Sequence, residues 1–138
     1  MISAFNFPVA VAGWNIALAL ICGDLVIWKP ALTTCLTSIA THKIMSGVLE
    51  KHGFKNVLTL ACGDGPDIGN ALVTDKNVQL VSFTGSTNVG RHVSAEVARR
   101  FGKSILELGG NNASIVMPDC DLDIAFTGSV FGAVGTCG

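Results

Sequence analysis

The sequence predicts an α/β fold, a parallel sheet with helices on both of its faces. Three observations point to it. Short apolar runs rich in Val, Ile, Leu and Phe alternate with longer helix-like stretches from Ile2 to Leu108. Gly and Pro fall between the two kinds of segment, where turns are needed. The run VQLVSFTGSTNVG, Val78 to Gly90, passes directly from an apolar strand through a Gly-Ser-Thr turn into a helix. An alternating β and α order of this sort calls for parallel strands joined by helical crossovers.

Each element follows in turn. Ile2 to Phe7 reads as the end of a strand and its loop, and Pro8 suits the first turn of a helix reaching about Cys22, stopped by Gly23. Leu25 to Trp28 is a short strand closed by Lys29-Pro30. A helix capped by Thr33 or Thr34 continues through Leu36, Ile39, Ala40, Ile44, Val48 and Leu49, a spacing expected to turn one face inward, and stops at Gly53. Val57 to Leu60 is the next strand, Gly63-Asp64-Gly65-Pro66 a turn, and Asp67 to Thr74 a short helix. After the strand-turn-helix unit, whose helix reaches about Phe101, Ile105 to Leu108 is a strand broken by Gly109-Gly110. Ala113 to Met117 is expected to be a further strand, with Pro118 behind it and Asp121 capping a helix that runs toward the end. That Gly- and Ala-rich close, and a start at a strand, are expected of a piece cut from a larger protein.

The corner at Gly85 has the grammar of a phosphate site. Val78, Leu80, Val81 and Phe83 form a buried-type parallel strand, Gly85 permits close approach, and Ser86 or Thr87 can cap the next helix. First-turn N–H groups lack intrahelical partners and point at an anion that the helix dipole favours. The Gly85 to Gly90 spacing is not GxGxxG, and no Walker A lysine follows. The same residues make an equally good capped junction with no ligand.

Composition removes several function classes. With 9 basic and 10 acidic residues and a formal net charge of −1, the 138-residue chain presents no electrostatic case for nucleic acid or an anionic membrane. Its 49% apolar content and 14% charge raise the question of a membrane span. The candidate, Phe7 to Cys22, is shorter than the roughly 20 residues a bilayer core requires and begins beside Pro8, so a buried helix accounts for it better. Five cysteines, at 22, 35, 62, 120 and 137, contain no CxxC pair and no matching His cluster, so neither a disulfide framework nor a metal site is indicated. A reducing compartment is expected, cytoplasmic or mitochondrial, with no targeting segment in these residues.

Four positions form the candidate site: Asn6, Lys29, Glu107 and the Gly85 corner. In a parallel sheet all four fall at or just past the carboxyl ends of strands, where open α/β folds bind ligands. Asn6 in FNFP offers an amide to a developing oxyanion, or serves as a turn residue before a Pro-led helix. Lys29 reaches ribose or phosphate, or is a solvated loop lysine. Glu107, inside SILELGG, is expected to be desolvated and so poised as a general base; its alternative is a salt bridge to Lys103 or Arg100.

The words AFNFPVAVAGWN, WKPA, SFTGSTNVG and LELGGNNASIVMPDCDLD, in this order and spacing, resemble the aldehyde dehydrogenase superfamily over the whole chain. The double Asn after ELGG and the opening AFNFPVAV are most similar to its antiquitin branch, the alpha-aminoadipic semialdehyde dehydrogenases. The resemblance implies a Rossmann-like NAD-binding domain over 1–108 and the beginning of a catalytic domain over 109–138. It implies that Asn6 stabilises the thiohemiacetal oxyanion and that Glu107 activates the water that hydrolyses the thioacyl intermediate. Ser3, Ala4, Phe5 and Lys29 match contacts to the cofactor's ribose and nicotinamide side, and Gly65 and Gly69 pack near the adenosine. Gly85 and Ser86 match the pyrophosphate corner, with Gly90 closing that helical turn, and Leu108 matches a backbone contact to the nicotinamide amide. The implied partners are a small aldehyde and NAD, with a homo-oligomer only in the complete enzyme; no metal, nucleic acid or membrane is implied.

Two positions depart from that pattern. Relatives often carry a Glu, three residues after the Lys, that holds the adenosine ribose; this chain has Leu32, which opens the choice between NAD and NADP. The family's nucleophilic cysteine follows a GTxG word by a few residues, and Cys137 lies ahead of that position, with helix packing its expected role. This chain alone is therefore expected to be inactive. The competing reading is a non-catalytic nucleotide-binding or interaction module that keeps the fold without the nucleophile.

Overall fold

A computed structural model describes residues 1–135, so Cys137 and its expected packing role lie outside the described residues. The strands are β1 (Val26–Trp28), β2 (Leu58–Leu60), β3 (Leu80–Gly85) and β4 (Lys103–Leu108). The helices are α1 (Ala10–Ile21), α2 (Cys35–Lys51), α3 (Asn70–Thr74), α4 (Thr87–Arg99) and α5 (Leu122–Val134). A 3-10 turn, Leu32–Thr34, leads into α2, and a π-type turn, Gly65–Gly69, leads into α3.

All strand pairs are parallel. β1 pairs with β2 from Val26 opposite Leu58 to Trp28 opposite Leu60, and β3 pairs with β4 from Leu80 opposite Lys103 to Gly85 opposite Leu108. Ile2 joins the two pairs, bridging Lys29 on one side and Phe83 on the other. Its N–H donates to Ser82 O at 2.7 Å and its carbonyl accepts from Thr84 N at 3.0 Å. On the opposite side Lys29 N donates to Met1 O at 2.9 Å, and Ser3 N to Lys29 O at 3.0 Å. The spatial order is therefore β2, β1, Ile2, β3, β4, and the chain reverses its winding at Ile2.

The core lies in two clusters. Val26, Trp28 and Leu58 pack with Ala12 and Ile16 of α1, joined by Met45 and Leu49 of α2. Val81 and Phe83 pack with Val73 of α3 and Val93 and Val97 of α4. Alternation along β1 places Val26 and Trp28 under the helices and leaves Ile27 exposed. A hydrogen bond from Ser82 Oγ to Asn15 Oδ1, 3.0 Å, ties β3 to α1 from the face opposite Val81 and Phe83. The structure thus has the expected parallel sheet with helices on both faces.

Several expectations need correction. The α2 spacing predicts Leu36, Ile39, Ala40, Ile44 and Val48 facing inward, but all five are exposed, and Leu49 alone of that set packs on the sheet. The inward stripe is Ser38, His42, Met45 and Leu49, because His42 Nε2 lies 3.1 Å from the Leu58 carbonyl and so fixes the helix rotation. Neither Thr33 nor Thr34 caps α2 with its side chain; Thr34 Oγ1 donates to Ala31 O at 3.0 Å, since the 3-10 turn already supplies the helix entry. Pro8 stands before the Val9 cap rather than in the first turn. Ala113 to Met117 is not a strand: these residues are exposed, and among the described residues no strand lies beside them to complete a ladder. Asp121 caps α5 as expected, its Oδ1 accepting from Asp123 N at 3.0 Å and Ile124 N at 3.1 Å.

Candidate functional site

Because every strand runs the same way, the residues following Ile2, Trp28, Leu60, Gly85 and Leu108 emerge along one edge of the sheet. The winding reverses at Ile2, and such switch points leave a crevice at the carboxyl edge. Ser3 occupies the innermost position there and is buried. Its hydroxyl accepts from Trp28 Nε1 at 2.9 Å, so this side chain is held by the core. Ala4 and Asn6 are half-buried and Phe5 is 61% exposed, in a bend that carries the chain over to α1.

Lys29 is neither solvated nor ion-paired among the described residues. It is 5% exposed, and its Nζ donates to Pro30 O at 3.0 Å. Its stem runs past Gly69, where an added Cβ would lie 3.7 Å from Lys29 Cε. Gly69 is buried while Gly65 is open, with nothing within 4 Å of an added Cβ. The turn that carries both is capped by Asp64, whose Oδ1 accepts from Asp67 N at 3.0 Å. Lys29 and the Gly65–Gly69 turn thus stand together on the β1 side of this edge.

The Gly85 corner stands at the same edge, on the β3 side of Ile2. Gly85 is still paired in β3, and an added Cβ would stand 2.7 Å from the Phe83 ring, so it is room for that ring that requires glycine. Ser86 caps α4, its Oγ accepting from Val89 N at 3.3 Å, and Gly90 N donates to Ser86 O at 2.9 Å. The N–H groups of Thr87 and Asn88, in the first turn of α4, have no carbonyl before them in the helix ladder. Gly90 is buried under Leu108, whose side chain occupies the space a Cβ would need. Thr87 Oγ1 donates to Gly109 O at 3.2 Å, fixing the end of β4 against the start of α4.

Glu107 sits opposite Thr84 near the end of β4. It is exposed, which corrects the expected desolvation: Ile105 on the same face of β4 is exposed too, so among the described residues nothing covers that face. Nor does it pair with Lys103 or Arg100. Arg100 Nε instead donates to Val73 O at 2.7 Å, and the ion pair among the described residues is Arg99 with Glu96. Leu108 is 38% exposed, and Gly109 and Gly110 leave the backbone beyond it open, nothing lying within 4 Å of an added Cβ at either.

Sequence reasoning missed two supports, Trp28 beneath Ser3 and Thr87 against Gly109. The first had a signal in the Val26 and Trp28 alternation; the second had none, because it joins two elements. No cluster of three or more metal-ligating side chains occurs among the described residues, and no helix among them is long and apolar enough to cross a membrane.

The sequence profile of the aldehyde dehydrogenase family matches residues 1–138. The alpha-aminoadipic semialdehyde dehydrogenase of Bos taurus is 52% identical over 139 residues, a match that covers 100% of this chain and 26% of the relative. An NAD-dependent aldehyde dehydrogenase of Sinorhizobium meliloti superposes with a TM-score of 0.88 at 34% identity, covering 98% of this chain and 26% of that one. A betaine aldehyde dehydrogenase of Staphylococcus aureus, solved in complex with NAD+, gives a TM-score of 0.85 at 36% identity, covering 95% of this chain and 25% of that one. The chain spans about a quarter of the length of the curated relatives it matches.

Proposed function

The chain belongs to the aldehyde dehydrogenase family, and from that premise we propose that it forms the NAD-binding part of an enzyme that oxidises an aldehyde to a carboxylic acid through a cysteine thioacyl intermediate. The observation that carries the proposal is the reversal of winding at Ile2, with the buried Lys29 on one side of it and the Ser86-capped helix on the other. The residues present fit a dinucleotide. The backbone is open at Gly65, in the turn whose Gly69 lies against Lys29, and the first-turn N–H groups of α4 are available to a pyrophosphate. In this reading Ser3, Ala4, Phe5 and Lys29 line the ribose and nicotinamide side, with Gly65 and Gly69 beside the adenosine. Gly85, Ser86 and Gly90 shape the phosphate corner, and the Leu108 backbone orients the nicotinamide amide. NAD supplies the acceptor for the hydride that leaves the aldehyde carbon.

Asn6 and Glu107 act at the reacting carbon. The Asn6 amide donates to the oxyanion formed when the enzyme's cysteine adds to the aldehyde, lowering that barrier by about 3 kcal/mol, as such donors do elsewhere. Glu107 takes the proton of the water that hydrolyses the thioacyl group. The 52% identity to the bovine enzyme supports alpha-aminoadipic semialdehyde as the substrate. We place the domain boundary after Leu108, where β4 ends and an open Gly pair follows. A homo-oligomer and a cytoplasmic or mitochondrial setting belong to the same reading.

Burst kinetics on the full-length enzyme test the two assignments separately. Glu107→Gln is expected to keep the NADH burst and lower steady-state turnover, since hydride transfer precedes hydrolysis. Asn6→Ala is expected to slow the burst itself. Equal loss of burst and turnover in Glu107→Gln would move that residue to an earlier step, and an unchanged burst in Asn6→Ala would remove Asn6 from the oxyanion.

A further inference from the structure

The last residues of β4 are held by α4. Leu108 makes the final pair of the ladder, opposite Gly85, and its side chain occupies the space a Cβ on Gly90 would need. Gly109 and Gly110 follow beyond the ladder, with nothing within 4 Å of an added Cβ at either. Two adjacent glycines have a wide choice of backbone angles, so the chain past Leu108 turns freely unless a group outside the sheet holds it. Thr87 is such a group. Its Oγ1 donates to Gly109 O at 3.2 Å, and among the described residues no other hydrogen bond reaches that carbonyl. Thr87 is also the first residue of α4, directly after the Ser86 cap. One helical turn therefore bears both the unpaired N–H groups and the hydroxyl that anchors the backbone at Gly109.

We propose that Thr87 is a positioning residue for hydride transfer: its hydroxyl sets the Leu108–Gly109 backbone against the start of α4, and so the angle at which the nicotinamide is presented. The proposal rests on the reading above, in which the first-turn N–H groups take the pyrophosphate and the Leu108 backbone orients the nicotinamide amide. One turn of helix then aligns two separate parts of the dinucleotide. The hydrogen of the hydroxyl is committed to Gly109 O, so Thr87 acts through the backbone. Its side chain is exposed, where water can replace a lost partner, and the bond adds little to the stability of the fold. Its use lies in placing the nicotinamide contact. Glu107 is paired inside the ladder, opposite Thr84, so the hydrolytic step is expected to be spared when the hydroxyl is removed.

The test follows the NADH burst of the full-length enzyme with NAD and alpha-aminoadipic semialdehyde, and titrates ADP-ribose, which carries the pyrophosphate but no nicotinamide. Thr87→Val keeps the branched shape and every backbone N–H and removes only the hydroxyl. It is expected to slow the burst by about 2- to 10-fold, the size of one lost hydrogen bond, while the dissociation constant of ADP-ribose stays within about 2-fold of the wild type. Thr87→Ser retains the hydroxyl and is expected to restore the burst. An unchanged burst in Thr87→Val, a loss of ADP-ribose affinity equal to the loss of burst rate, or a burst in Thr87→Ser as slow as in Thr87→Val would overturn the proposal and leave the dehydrogenase reading standing. So would a lowered thermal midpoint with binding and burst lost together. A wild type that forms no NADH from this or a simple alkyl aldehyde would overturn the dehydrogenase reading, and the role of Thr87 with it.

Discussion

Ser3 shows how one side chain can be needed for the fold at a position that also faces the crevice. Its hydroxyl is the partner of the buried Trp28 Nε1–H, so Ser3→Ala strands a donor in the core. The expected cost is about 1–3 kcal/mol, read as a lowered midpoint in urea unfolding. Leu32 makes the opposite case. It is 63% exposed in the turn after Lys29-Pro30, touching little that a substitution would disturb. Leu32→Glu in the full-length enzyme would add an acceptor for ribose hydroxyls and a charge that repels a 2′-phosphate. The ratio of NAD to NADP kcat/KM is expected to rise by about 5- to 150-fold, the equivalent of about 1–3 kcal/mol, and a level ratio would mean that position 32 does not face the ribose. Both positions were legible as site candidates because their words carry them. The surroundings of Glu107 were not: its apolar neighbours in sequence point to alternate faces of β4, so a run that reads as buried leaves the carboxylate exposed.

The helix ends show how far local pattern reaches. α1 and α2 are both followed by a glycine with φ near +87°, Gly23 and Gly53, whose N–H and that of the next residue close back on the last turn. α4 ends the same way, with Phe101 N donating to Ala98 O and Gly102 N to Val97 O, but the left-handed position holds Phe101 at φ +59°. That side chain is 98% exposed and contributes no packing to offset its backbone cost. Phe101→Gly is therefore expected to stabilise the fold by about 1 kcal/mol, measured by thermal or urea unfolding; a loss would mean that Phe101 is covered in the full-length protein. Element order and kind were readable because turns and apolar runs are local signals. The orientation of α2 was not, since its apolar residues lie on two sides and a contact from His42 to a distant strand chooses between them. Ala113 to Met117 failed for a related reason: the residues favour a strand, but strand pairing depends on a neighbour elsewhere in the polypeptide.

At the scale of the molecule, apolar surface is unevenly distributed. α5 has no buried residue, and Ile115, Phe126 and Phe131 are 84%, 74% and 73% exposed. Ending the chain after Gly110 is expected to reduce aggregation, followed by light scattering, and an equally aggregated shorter chain would count against the domain boundary. The sheet itself is joined through the short segment Met1–Ser3, with a separate core cluster on either side of Ile2. Such a join makes the two halves distinct units of local opening, each able to loosen without dismantling the other. In amide hydrogen exchange, the β1–β2 and β3–β4 ladders are expected to show different opening free energies without ligand. A dinucleotide lying across the seam would touch both halves, so their protection should rise together and converge when it binds. The crevice that receives the cofactor is then also the suture of the domain, and occupancy turns two cooperative units into one.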